Sequence, residues 1–330
     1  MDTIQPRSAR RGWLSVVVGA VGAVAITAGI ITTPMARAAA HNSPAAQHSS
    51  APTAAPVANL PTLPGLPSIP IPQLPSGSAG IAPAPPQQSP AALAQQMQAA
   101  ITAASPGTQV GIDVVDTTTG ATVADLNTGQ QFYTASVVKL LIALDALNSQ
   151  GWQPDPATTA QLEQMLSASD DTIADTLWDA DGGSAIVSRM AGLMGLPGTQ
   201  PPDDPSQWGE TLTTAQDVVT VYRYLTNTVP QAARDVVMAG LQGADRTAAD
   251  GTYQYFGIPD GLTGADWAIK QGWMSLDDST TLDTTGLVGT GAGQPLRYVV
   301  VVLSRQPAGI SWTTGGNALT AGVRVLHGTV

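Results

Sequence analysis

"YTASVVKLLIALDAL", residues 133–147, decides how this chain is read. Its apolar residues fall on most faces of a helix, so the helix is expected to be buried rather than amphipathic. Yet it opens on a hydroxyl, Ser136, and carries an amine, Lys139, in its first turn. Residues three apart on a helix share a face, which brings the two side chains within hydrogen-bond reach. At a helix N-terminus, unpaired N–H groups and the positive end of the dipole favour a developing negative charge. Ser136 is therefore placed where its own N–H stabilises an oxyanion. Lys139 is placed to take the hydroxyl proton if the amine is neutral, a state that burial and a second nearby cation both favour. The plainer reading of Lys139 is a snorkelling or salt-bridged helix lysine.

Composition narrows the chemistry. The 330 residues contain no cysteine, which removes disulfides, thiol nucleophiles, thiolate metal sites and a lipidated cysteine anchor. The histidines are His41, His48 and His327, so a His-rich metal site is excluded and a Ser-His-Asp triad has only His327 to draw on. No metal or organic cofactor is implied. The net charge is -11 with 13 basic residues, and no basic stripe forms, which argues against nucleic acid as a partner. Chemistry must come from Ser, Thr, Lys, Asp, Glu or Tyr, and the chain has two lysines, Lys139 and Lys270.

Residues 1–40 read as a targeting segment. Arg7, Arg10 and Arg11 precede an uncharged run from Gly12 to Ala36. That pattern fits either a cleaved export signal, with Ala38 and Ala40 at the cleavage site, or a retained membrane anchor. Both place the rest of the chain outside the cytoplasm. Residues 41–90 hold 13 of the 26 prolines, and no formal charge occurs from Ala38 to Ile112. Such a stretch cannot bury a core and is expected to be a semi-extended, disordered tether. The globular domain is expected over 91–330.

Within that domain the pattern predicts an α+β fold. A helix is expected from Ala91, then a hairpin of Gln109–Asp116 with Ala121–Leu126 turning at Thr119-Gly120. Five more helical stretches follow the 133–147 helix: "PATTAQLEQMLSAS", "DDTIADTLWDA", "SAIVSRMAGLMG", "TTAQDVVTVYRYLTN" and "PQAARDVVMAGL". Strands around Ala268, Leu282 and Leu296, joined by short links, and a final helix in "GNALTAGVRVLHG" complete the chain. Strands at both ends with helices between predict an antiparallel sheet interrupted by an inserted helical lobe.

Two further stretches complete a constellation. Lys270 stands in "WAIKQGWM", a strand with a glycine two residues on that permits close approach of another backbone or a ligand. Ser169, Asp170 and Asp171 open a helix, and on their own they read as an N-cap with an acidic first turn. Together, Ser136-Val-Val-Lys139, Ser169-Asp170-Asp171 and Lys270-Gln271-Gly272 follow the order S-x-x-K, S-D-N, K-T-G of serine β-lactamases and penicillin-binding D,D-peptidases. A lone S-x-x-K is a weak signal; the ordered triple is a strong one. "GIDVVDTTTGATVADLNTGQQFYTASVVKLLIAL" resembles the hairpin and nucleophile helix of class A β-lactamases. "TLTTAQDVVTVYRYL" resembles the helix after their Ω loop, and "LRYVVVVLSR" their next-to-last sheet strand. The resemblance covers residues 91–330. It implies a sheet flanked by terminal helices plus an inserted all-helical lobe.

The resemblance also implies roles. Ser136 is the acylated nucleophile and Lys139 its base. Ser169 relays a proton to the leaving nitrogen. Lys270 supplies positive field, which keeps Lys139 neutral and attracts the substrate carboxylate. The N–H groups of Ser136 and Trp273 form the oxyanion hole. Asp171, Gln271, Gly272 and Trp273 are the expected substrate-binding positions.

Departures from the pattern carry consequences. Asp171 stands where an asparagine is usual, and an ionised carboxylate accepts hydrogen bonds but donates none. Either a substrate carbonyl loses its donor there or Asp171 is protonated. Gln271 replaces a threonine with a longer amide, still able to donate to a carboxylate. The loop "GLMGLPGTQPPDDPSQWGET" has no E-x-x-L-N, and the position of the deacylating glutamate falls near Gly198. Asp203, Asp204 and Glu210 are its nearest substitutes, in a loop otherwise read as solvated and acidic. Only 33 positions separate Ser136 from Ser169, so the lobe is expected to be trimmed and the cleft open. Loss of a general base is worth about 10²–10⁴ in rate, so acylation without quick turnover is expected.

The reading that follows is an exported, monomeric serine hydrolase acting through an acyl-enzyme on β-lactams or peptidoglycan stem peptides, touching a membrane only through its N-terminal segment. The alternative is a weakly catalytic or non-catalytic relative that binds cell-wall peptides in the same cleft. A purely structural wall domain requires both lysines at the surface.

Overall fold

The first element of the computed structural model, which describes residues 88–330, is helix α1, Pro90–Ala104. The targeting segment and almost all of the tether expected from the sequence lie outside the described residues. Ser89 caps α1 by accepting from Ala92 N, and Pro90 takes the first helical position, where its missing N–H costs nothing. Strands β1 (Gln109–Asp116), β2 (Thr122–Leu126) and β3 (Gln131–Tyr133) follow. Next come a short 3-10 turn, Ala135–Val138, and helices α2 (Lys139–Ser149), α3 (Pro156–Ser167), α4 (Asp171–Ala180) and α5 (Ala185–Met194). The chain continues through a second 3-10 turn at Trp208–Glu210 and β4 (Leu212–Thr214), then α6 (Ala215–Asn227), α7 (Gln231–Gln242) and α8 (Ile258–Gly261). It ends with β5 (Trp267–Ser275), β6 (Ser279–Gly289), β7 (Leu296–Pro307) and α9 (Trp312–Arg324).

The described strands form a five-stranded antiparallel sheet in the order β2-β1-β7-β6-β5. Successive side chains of a strand point to opposite faces, and β7 is covered on both. Val299, Val301 and Leu303 enter one core, with α2, α6 and the other lobe helices. Tyr298, Val300 and Val302 enter the other, with α1 and α9. That double burial is why the valine run is continuous instead of alternating. The expected α+β architecture, a sheet with terminal helices on one face and a helical lobe on the other, is the one observed.

Helix α2 is the centre of the lobe. Every residue from Lys139 to Leu147 is buried. Leu140, Leu141, Ile142, Leu144 and Leu147 each contribute about 1.5–3 kcal/mol by leaving water. Arg189 of α5 grips the buried Asp145 of α2 through two hydrogen bonds, at 2.9 and 2.6 Å. A single helix, α3, separates α2 from the Ser169 turn, which is the structural form of the short spacing between the motifs.

Strands β3 and β4 were not expected. They pair as a separate two-stranded ribbon with Phe132 opposite Thr213. Their three-residue lengths carry no readable alternation. The ribbon ties the segment before Ser136 to the segment after the helical lobe, and Thr134 N–H extends the tie by donating to Thr211 O at 2.9 Å.

Candidate active site

Ser136 does not sit in the first turn of the α-helix, as the sequence implied, but in the 3-10 turn just before it. The 3-10 turn has three residues per turn, so side chains at i and i+3 eclipse. This places Lys139 Nζ 2.7 Å from Ser136 Oγ. Ala135, the residue before the serine, has φ +40°, a left-handed value that costs a side-chain-bearing residue about 1–3 kcal/mol. The strain is held in place from several sides. Val137 N–H donates to Thr134 O at 2.9 Å, and Gly209 and the β3–β4 ribbon close over the turn.

Strand β5 closes the turn from the sheet side. A Cβ at Gly272 would lie 2.7 Å from Thr134 O and 3.3 Å from Ala135 Cβ. The close approach expected of this glycine is therefore made to the chain's own nucleophile turn. Behind the contact lies Asp283 of β6, wholly buried; its Oδ1 accepts from Ser304 N at 2.9 Å and its Oδ2 has no partner. Burial pushes this carboxyl well above the usual range, so it is held as the neutral acid.

Ser169 also has a left-handed φ, +52°, in the turn between α3 and α4. Asp170 is the N-cap of α4, accepting from Thr172 N and Ile173 N. The strained turn leaves Ser169 facing both lysines. Lys270 Nζ is 2.9 Å from Ser169 Oγ, and Lys139 Nζ is 3.1 Å from Ser169 O and 3.4 Å from Ser169 Oγ. The structure thus brings Ser136, Lys139, Ser169 and Lys270 into one chain of contacts. Neither lysine is at the surface: their exposures are 0% and 1%.

Burial lowers the pKa of both amines. At Lys139 the Asp171 carboxylate counteracts this, with Oδ1 2.5 Å from Nζ, and the more distant Asp250 and Asp170 act in the same sense. At Lys270 burial is reinforced by the charge of Lys139, and the shift is the larger. The sequence gave the neutral role to Lys139 and the charged role to Lys270. The resting geometry reverses them, because the carboxylate that replaces the usual asparagine stands against Lys139. Asp171 is therefore neither a lost donor nor a protonated acid; it is the counter-ion of Lys139, with its own side chain 60% exposed.

Gln271 departs from its expected role. It is 1% exposed, and its Nε2 donates to Gln254 O at 3.1 Å and to Phe256 O at 2.5 Å. The longer side chain reaches past the cleft into the 254–256 loop, and no donor is left for a substrate carboxylate. The loop in turn holds the Ser169 turn, since Gln254 Nε2 donates to Ser167 O at 3.0 Å. Gln271 positions Ser169 instead of binding a ligand.

The cleft beside Ser136 encloses about 290 Å³ and is lined by Ser136, Asp171, Asp175, Trp208, Trp273 and Met274 among others. Two of these, Trp208 and Asp175, escaped the sequence analysis. Trp208 lies in the loop read only for its acids, and its ring sits 4.6 Å from Lys139 Nζ. Asp175 is four residues after Asp171 on α4 and fixes that ring by accepting from Trp208 Nε1 at 2.7 Å. The signal available was an isolated tryptophan in a Pro/Gly-rich loop, together with the i, i+4 spacing of the two acids. On the opposite wall Trp273 Nε1 donates to Asp250 Oδ2 at 2.9 Å.

The Gly198 position is closed to any side chain. A Cβ there would run into Thr214 Cγ2, and the Gly198 N–H is engaged by Asp217 Oδ2 at 2.9 Å. Asp203 and Asp204 are exposed, and Asp204 is occupied in accepting from Ser206 N and Oγ. Neither they nor Glu210 line the cleft.

Comparison with known proteins agrees with this geometry. A model of the beta-lactamase enzyme family matches residues 92–150, which span the hairpin and the nucleophile turn. The "Putative lipoprotein LppW" of Mycobacterium tuberculosis, and that of Mycobacterium bovis, is 38% identical over 218 residues, covering 64% of this chain and 68% of the relative. Among solved structures, PBP-A superposes with a TM-score of 0.58 at 20% identity, over 74% of this chain and 98% of PBP-A. A class A β-lactamase from Mycobacterium abscessus superposes with a TM-score of 0.58 at 19% identity, over 71% of this chain and 98% of that one. At such identities the two structures speak for the fold.

Proposed function

Because the chain belongs to the serine β-lactamase and penicillin-binding D,D-peptidase superfamily, we propose that it is a serine hydrolase that forms an acyl-enzyme on Ser136 and releases it slowly. The observation that carries this reading is the meeting of both lysines with Ser136 and Ser169 in a buried chain of contacts at 2.7, 3.4 and 2.9 Å. Along that chain Lys139 passes a proton to Ser169 Oγ while Ser169 gives its own to Lys270. Lys139 is left neutral and Lys270 charged. Ser136 Oγ then attacks the carbonyl carbon as its proton moves to Lys139, with the oxyanion facing the N–H groups of Ser136 and Trp273. The carbon–nitrogen bond breaks, and the leaving nitrogen takes its proton from Lys139 through Ser169. Substrates are β-lactams or peptidoglycan stem peptides, consistent with the penicillin-G acyl-enzyme complex known for PBP-A.

The closed Gly198 position supports slow release, since no side chain there can activate a deacylating water. A chromogenic cephalosporin is expected to give a burst equal to the protein concentration, followed by a slow steady phase. Rapid linear turnover without a burst contradicts slow release, and no burst with no turnover contradicts acylation itself.

Asp171 controls when Lys139 sheds its proton. The groups facing Lys139 are Asp170 and Asp171 from α4, Asp250 from the loop before β5, Lys270 from β5 and the Trp208 ring. Removing the Asp171 charge leaves burial dominant and lowers the Lys139 pKa further. In Asp171→Asn the rising limb of the acylation rate against pH is expected to move to lower pH. An unmoved limb, or one moved upward, contradicts this role.

The Arg-bearing, apolar N-terminal segment and the lipoprotein name of the mycobacterial relative support an extracytoplasmic location. The 330 residues offer no cysteine for a lipid, so the N-terminal apolar segment is the means of export or attachment. Among the described residues no helix is long and apolar enough to cross a membrane.

A further inference from the structure

We infer that the cleft selects ligands that carry an ammonium group close to the reactive carbonyl, in preference to the same ligands without it. The inference rests on the acyl-enzyme reading for the location of the carbonyl, and it concerns what surrounds that carbon. Asp171 and Asp175 are one turn apart on α4, so their carboxylates share a face that opens into the cleft. Like charges at this spacing destabilise a helix, and a bound cation relieves the repulsion.

Each carboxylate has an oxygen to spare. Asp171 uses Oδ1 for Lys139 and Asp175 uses Oδ1 for Trp208, while neither Oδ2 accepts a hydrogen bond from any described residue. Two indoles complete the walls. Trp208 and Trp273 are each fixed through the ring N–H by an aspartate, Asp175 and Asp250, and aromatic faces attract cations. The acidic edge thus meets an aromatic wall, and both favour an ammonium.

The donors that would favour an anion are withdrawn. Gln271 spends its amide N–H groups on main-chain carbonyls, and both lysine amines are turned to Ser136, Ser169 and the main chain. A ligand that brings donors finds partners here, and a ligand that brings acceptors finds few.

Benzylpenicillin and ampicillin test this directly, because they differ by one ammonium group on the side chain beside the amide. Acylation rates of the full chain are compared by intact mass at low salt and about pH 6, below the ordinary α-amino range. Equilibrium binding of the same pair to Ser136→Ala is measured by calorimetry. Ampicillin is expected to be favoured about three- to tenfold in both, the range of one exposed ion pair with a cation–π contact. In Asp175→Asn the remaining Oδ1 still accepts from Trp208, so the wall stays in place, and the preference is expected to fall toward one.

A ratio of one or below in the wild type, or a ratio unchanged in Asp175→Asn, overturns the inference. Acylation by neither compound, with the calorimetric preference intact, sinks the acyl-enzyme reading and leaves the charge preference standing. Acylation by both without preference does the reverse.

Discussion

Incubated with a β-lactam, the protein is expected to gain the mass of one intact β-lactam, and Ser136→Ala to gain none. Ring opening loses no atoms, so the adduct is the whole β-lactam added to one hydroxyl. Among the described residues, Ser136 Oγ is the hydroxyl that stands 2.7 Å from a buried amine and at the floor of the 290 Å³ cleft. The nearest rival is Ser169, which both amines also reach. Ser169 is 4% exposed and does not line the cleft, so an electrophile does not meet it first. Removal of the nucleophile from a serine hydrolase costs on the order of 10⁶ in rate, which makes the adduct vanish on any practical timescale. An adduct of equal yield on Ser136→Ala contradicts the assignment.

Gly272→Ala is the second large effect. The added methyl would sit 2.7 Å from Thr134 O, a main-chain atom fixed by its contact with Val137 N–H. Strand β5 must then move away from the nucleophile turn, carrying Lys270 and Trp273 with it. Loss of one oxyanion donor costs about 10²–10³ in rate, and overpacking costs about 1–3 kcal/mol of stability. Acylation is expected to fall by at least the former factor, measured as the second-order rate of adduct formation. Denaturant unfolding checks that the variant stays folded during the assay. A variant that acylates at the wild-type rate shows that β5 and the turn are not as tightly coupled as their contact implies.

Much of this architecture could be read from the residues, for physical reasons that differ between elements. The unbroken apolar run of α2 and the valine run of β7 announced burial on both sides, since neither leaves a polar face. The order of the three motifs, with two lysines in the whole chain, marked the residues that meet. The 3-10 turn at Ala135–Val138 was not legible, because its cause is the left-handed φ of Ala135, imposed by the β3–β4 ribbon and β5 from outside the segment. Gln271 misled for a similar reason. Its identity gave the length of the side chain, but its partners, the Gln254 and Phe256 carbonyls, come from a loop with no periodic signal. Trp208 and Asp175 were missed because each has an ordinary place in its own segment, and their importance arises only when the loop folds over α4.

The charges of the lysines were the least legible feature. A buried lysine pair is one system, in which a carboxylate beside one amine decides which of the two loses its proton. Asp171 was visible as an oddity in a motif, while its 2.5 Å approach to Lys139 belongs to the tertiary structure.

The direct measurement is therefore a titration of the lysines themselves. With two lysines in the chain, protein labelled at the lysine ε-carbon gives two NMR signals, and Lys270→Arg assigns them. The account predicts that both titrate below the ordinary lysine range of about 10.4, Lys270 furthest, and that its signal is that of a neutral amine at neutral pH. Two signals that remain fully protonated until the ordinary range contradict it, because no base would then be available to Ser136.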